Sequence, residues 1–104
     1  MLPEKVIIGC YEYTVEVTDD VLELNGRTYK GIISPEHNTI RICSKYSEQS
    51  REQTFWHEVL HGLMHYRMLD PHECDVETTV EELAMALYGL MKSNGKLPGQ
   101  KEAI

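Results

Sequence analysis

The spacing of apolar positions in this chain changes character once, near residue 45. Before that point they come in short runs or at every second position; after it they recur at three and four. Val6-Ile7-Ile8 predicts a short strand, and Tyr13-Thr14-Val15-Glu16-Val17 alternates as a half-buried strand does. Gly9 to Glu12 reads as the turn between them, and Thr18-Asp19-Asp20 ends the pair. Val21 to Tyr29 has no clear period but contains Asn25-Gly26, a dipeptide suited to a tight turn. Gly31-Ile32-Ile33-Ser34 and Thr39-Ile40-Arg41-Ile42-Cys43 predict two strands of a hairpin, with Pro35-Glu36-His37-Asn38 supplying turn residues.

A helix is predicted from Ser47, a suitable N-cap followed by Glu48, Gln49 and Glu52, to about Met68. Trp56, Val59, Leu60, Leu63 and Met64 form its apolar stripe, with Phe55 and Tyr66 on the far side. Asp70-Pro71 is its stop, and a polar loop runs on to Asp75. A second helix starts between Val76 and Thr79 and ends near Ser93, where Asn94-Gly95 is a good terminator. Its predicted stripe is Val80, Leu83, Ala84, Leu87, Leu90 and Met91. Residues 1–95 then make one domain, and 96–104, with Pro98 and Gly99, a flexible tail.

A length of 104 residues suits a single domain. No apolar run approaches the roughly 20 residues that span a bilayer, and the N-terminus lacks a signal-peptide pattern. A net charge of -7 disfavours direct contact with nucleic acid. Cys10, Cys43 and Cys74 are odd in number and form no C-x-x-C pair, which fits reduced thiols in a cytoplasm. Cys10 and Cys43 read as small buried hydrophobes.

The chemistry concentrates in His57-Glu58-Val59-Leu60-His61, an H-E-x-x-H sequence. Residues four apart share a helix face about 6 Å apart along the axis, so His57 and His61 can bind one metal ion. Glu58, about a quarter-turn round, can reach a water held there. This is the zinc-hydrolase arrangement, in which imidazoles hold Zn²⁺ and the carboxylate takes a proton. Two histidines need a third protein ligand. His65 lies about 12 Å along the axis from His57 and cannot share its metal. The longer motif that ends in a third histidine is excluded by Met64 and Arg67. His72 and Cys74, in the polar loop, make a weak pair. A glutamate of the second helix is the natural donor. Glu81 falls at the border of the predicted stripe and is preferred, with Glu77 and Glu82 as alternatives; a plain acidic helix start would account for all three.

Residues 54–65, read with Val80-Glu81-Glu82-Leu83-Ala84-Met85-Ala86-Leu87-Tyr88 and the upstream hairpin, resemble the small phage and prophage zinc metallopeptidase-like proteins. These are related to the ImmA/IrrE metallopeptidases, of the H-E-x-x-H plus Glu (gluzincin) class, and the resemblance covers roughly residues 5 to 95. It implies an α+β fold, a minimal zincin in which a small twisted sheet packs on the motif helix with the glutamate helix beside it. It implies His57, His61 and Glu81 as zinc ligands and Glu58 as general base. It also implies a protein or peptide substrate in the cytoplasm of a bacterial host. Tyr66, His65, His72 and Tyr88 are candidate oxyanion donors, and the segment Tyr29 to Ser34 can bind a peptide by strand addition if it is an exposed edge. The competing reading is a zinc-stabilised binding module that cleaves nothing.

Overall fold

The alternating first part of the chain folds into strands β1 (Lys5–Ile8), β2 (Tyr11–Thr18), β3 (Leu22–Leu24), β4 (Arg27–Tyr29), β5 (Gly31–Ser34) and β6 (Thr39–Cys43). The remainder forms helices α1 (Glu48–Tyr66) and α2 (Val76–Ser93). The structure, a computed structural model, describes residues 2–70 and 72–99. Its architecture is α+β: a four-stranded sheet, ordered β1-β2-β6-β5, with helices against one face. Strand pairs β1–β2 and β5–β6 are antiparallel, and β2–β6 is parallel. The segment without a clear period becomes the separate β3–β4 hairpin. Asn25 and Gly26 turn it with φ of 53° and 77°, the left-handed geometry that a two-residue hairpin turn needs at both central positions.

Register decides which residues meet the helices. Val6 lies opposite Tyr13, Val15 opposite Ile40, and Ile33 opposite Ile40, so these share one face. With Ile8 and Ile42 they build the core. The other face is polar, with exposed pairs such as Lys5–Glu12 at 3.5 Å and Arg41–Asp20 at 3.2 Å, which contribute little stability.

Helix α1 starts as expected: Ser50 N–H donates to Ser47 Oγ at 3.2 Å. Its packed face differs from the expected stripe. Phe55, Val59 and Leu63 are buried, with Gly62, Thr54 and Glu58 beside them, while Leu60 is exposed. The reason is close approach. A Cβ on Gly62 would stand 2.8 Å from Ile8 Cδ1 and 2.9 Å from Ile33 Cδ1, and one on Gly31 would stand 2.6 Å from Thr54 Cγ2. The helix meets the sheet through positions without side chains, which a count of large apolar residues passes over.

The helix α1 ends at Tyr66, before the expected stop; Pro71 lies outside the described residues. Met68 N–H bonds the His65 carbonyl at 3.1 Å and Leu69 N–H the Met64 carbonyl at 2.9 Å. This is the Schellman termination, with Met68 in the left-handed position at φ 55°.

Helix α2 is capped by Asp75, whose Oδ1 accepts from Thr78 N–H at 2.7 Å. It packs through Leu83, Ala86 and Leu90, while Val80, Ala84, Leu87 and Met91 are exposed. The packed face is thus turned by roughly one residue's 100° from the expected stripe. Small Ala86 marks the contact, and much larger residues face solvent. Asn94 ends the helix and also pairs with β1: Ile7 N–H donates to Asn94 Oδ1 at 2.8 Å and Asn94 Nδ2 to the Ile7 carbonyl at 2.9 Å.

The stretch expected to begin a flexible tail is docked at its start. Leu97 is buried in the core, and Trp56 Nε1–H donates to the Pro98 carbonyl at 2.8 Å. Residues 100–104 of that tail lie outside the described residues. Cys43 is buried as expected, whereas Cys10 is exposed in the β1–β2 turn, where no core reaches it. Among the described residues no helix is long and apolar enough to cross a membrane.

Met68 offers a direct check on this account of the α1 terminus. It is 88% exposed, so its side chain contributes little by burial. A left-handed L-residue costs about 1–2 kcal/mol, which glycine avoids. Met68→Gly is expected to raise stability to urea by about 1 kcal/mol, and a loss would show that the turn is not strained there.

Candidate functional site

Helix α1 runs alongside β5 in the same direction. Thr54 lies against Gly31, Gly62 against Ile33, and His65 lines a pocket with Pro35 and Glu36 just past the strand. The buried stripe of α1 is narrow, so His57 and His61 fall on its border and are exposed. Their Nε2 atoms are 3.2 Å apart, and the ring centroids are 4.8 Å apart with planes at 70°. Two zinc–nitrogen bonds of about 2.0–2.1 Å at a tetrahedral angle put their nitrogens roughly 3.3–3.4 Å apart. The pair therefore stands at ligand spacing. Without a metal the same distance suits one N–H···N hydrogen bond.

Glu58, on the sheet side of α1, is 7% exposed and lines the same cleft as His57. The Ile33 backbone N–H lies near enough to favour the charged form of Glu58. That N–H is available because of β5's register. Cys43 N–H bonds the Lys30 carbonyl at 2.8 Å, which makes Ile32–Arg41 and Ser34–Thr39 the bonded pairs of the ladder. The N–H and C=O groups of Gly31 and Ile33 then face outward from the sheet, and β5 is an edge strand. Burial pushes the Glu58 carboxyl above its ordinary pKa, while the His57 charge and the Ile33 N–H pull it down by less.

His57 and Glu58 line an open cleft of about 250 Å³ with Tyr29, Lys30, Gly31, Gln53 and Thr54. Gln53 and Lys30 are donors that the sequence analysis did not single out. Gln53 had a readable signal, since it lies one helical turn before His57. Lys30 Nζ sits 4.9 Å from the Tyr46 ring centroid. The four candidate oxyanion donors lie elsewhere: Tyr66 packs on Tyr11, His65 lines the pocket near Glu36, and Tyr88 and His72 are exposed.

The structure brings His57, Glu58 and His61 together on α1 and does not bring Glu81 to them. Glu81 and Glu77 are exposed on α2. Glu82 occupies the border of the packed face, where Arg67 Nε donates to its Oε2 at 2.8 Å. Among the described residues no group of three or more His, Cys, Asp or Glu side chains is placed to hold a metal.

Glu58 has a measurable consequence for stability. A carboxyl that holds its proton more tightly when folded stabilises the fold while protonated and loses that contribution as pH rises through its folded pKa. Glu58→Gln keeps the shape without the charge. In chelator-treated protein it is expected to raise the unfolding midpoint at pH 7 and to match the wild type in acid, where the wild-type carboxyl is protonated too. Identical midpoints at every pH would argue that Glu58 is not desolvated. No family model, no curated protein and no solved structure matches this chain.

Proposed function

We propose that this chain is a zinc-dependent metallopeptidase of the ImmA/IrrE-related gluzincin type, acting on a protein or peptide substrate. The observation that carries the reading is the 3.2 Å spacing of the His57 and His61 Nε2 atoms. In this reading His57 and His61 hold the zinc, and Glu81 is the third ligand that the family resemblance implies, although α2 as placed here leaves it exposed and apart from the pair. Glu81 has no ion pair or hydrogen-bonded side-chain partner among the described residues, whereas Glu82 is engaged by Arg67. When bound, zinc supplies Lewis-acid activation of water and of the scissile carbonyl.

The chain's own groups supply the rest. Glu58, a buried carboxyl with a raised pKa, is suited to accept a proton during attack and return it to the leaving amine. The outward N–H and C=O groups of Gly31 can pair with an extended peptide laid along β5, which places its backbone beside the cleft. Gln53, at the cleft wall, is a neutral donor for developing oxyanion charge. The reading places the protein in the cytoplasm of a bacterial host, in phage or prophage regulation, and the free thiols Cys10, Cys43 and Cys74 suit that compartment. A partner reached through β5 would be protein, since a net charge of -7 repels nucleic acid.

A second reading is a zinc-stabilised protein-binding module without catalysis. It would need a closed ligand set around the two histidines instead of an open position for water, and it would need no base at Glu58. Metal analysis and kinetics separate the two. About one zinc per chain is expected, lost in His57→Ala and strongly reduced in Glu81→Gln, with Glu82→Gln retaining it. Full zinc content in His57→Ala would remove the metal site. For the chemistry, Glu58→Gln is expected to keep its zinc and lose cleavage of a panel of unfolded proteins and candidate regulators. Equal cleavage by that variant would end the hydrolase mechanism. Zinc binding with no cleavage by the wild type would favour the module.

A further inference from the structure

The line His57, His61, His65 follows β5 from the cleft at Gly31 to a second pocket just past the strand's end. That pocket, about 350 Å³, is walled by Tyr11, Tyr13, Glu36, His65 and Tyr66, with Ile8 adding apolar surface. Tyr13 is 3% exposed, yet its hydroxyl makes no hydrogen bond within the described residues. Every fully buried side-chain nitrogen and oxygen among those residues has a partner, so the Tyr13 oxygen must open into the pocket. Glu36 lines the same pocket, and burial, then the neighbouring Tyr11 and the Glu36 carboxylate, raise the pKa of that hydroxyl. Glu36 has no ion pair among the described residues. The Tyr11 and Tyr66 rings stand edge to face, with centroids 6.2 Å apart.

We propose that this pocket binds a lysine or arginine side chain of a peptide laid along β5. An uncompensated carboxylate beside an unpartnered hydroxyl offers acceptors to a cation, and aromatic faces attract it further. The methylenes of a long basic side chain pack on Ile8 and the rings while its head reaches Glu36. An anion would meet the carboxylate and the acidic field of the whole chain. From midway between His57 and His61 to His65 is about 9 Å along the helix, or two to three residues of extended peptide. The basic residue therefore sits two to three positions from the one over the histidine pair. The peptide's course rests on the peptidase reading; the pocket's preference for a cation does not.

The test uses the full chain as its zinc-supplemented Glu58→Gln variant, so that binding is read without turnover. The probes are nine-residue alanine–threonine peptides with one lysine moved through the sequence, and the same peptides with norleucine, which keeps the chain length but lacks the charge. Isothermal titration is expected to give lysine peptides an affinity higher by about five-fold or more, at one preferred position. Adding Glu36→Gln, an exposed turn residue, should abolish that preference while leaving norleucine peptides unchanged, and Tyr13→Phe should reduce it in part. Equal affinities for the two sets, equal loss for both in Glu36→Gln, or no binding by either would overturn the proposal. Lysine-selective binding of peptides that the wild type never cleaves would sink the peptidase reading and keep the pocket. Cleavage indifferent to lysine would do the reverse.

Discussion

The structure depends on how near α1 comes to the sheet, and two glycines set that distance. At Gly31 the strand lets Thr54 in, and at Gly62 the helix lets in the methyl ends of Ile8 and Ile33. A side chain at either position would push the layers apart, and close-packed interiors absorb such changes poorly. The same contact holds Phe55 and Val59 in the core and buries Glu58 against the sheet. Histidines one turn apart on that helix are thereby held, exposed, alongside the rim of the sheet.

The sheet has two rims, and the chain treats them differently. Along β1, the Asn94 side chain presents one acceptor and one donor to Ile7, imitating a neighbouring strand. Bare rims invite pairing with other chains. Here that invitation is closed on one side and left open on the other, beside the histidine pair.

Much of this was legible beforehand, for local reasons. The Gly31–Cys43 hairpin, the Asn25-Gly26 turn and the Ser47 cap were readable because turn and cap chemistry is confined to a few neighbouring residues. So was the shared face of His57 and His61, which needs only helical geometry. The rotation of α2 was not, since it is decided by Ala86 fitting against its neighbours while Val80 and Leu87 stay outside. Hydrophobicity ranks those residues the wrong way round, and only tertiary fit reverses the order. Glu82, in the sequence only an alternative ligand, meets Arg67 across the two helices for the same reason. Likewise the burial of Leu97 and the bond from Trp56 to Pro98 depend on residues far apart in sequence, where composition alone suggested a loose tail.

The Asn94 clamp also bears on the order of assembly. Ile7 and Asn94 are 87 residues apart, so the first strand is completed by a residue from the far end of α2. Contacts of such separation form late, because loop-closure entropy must be met before they contribute. A growing polypeptide can build the β5–β6 hairpin and α1 while β1 still has an unsatisfied backbone. The protein is therefore most open to wrong pairing during synthesis, until α2 and its terminal asparagine are released to seal it.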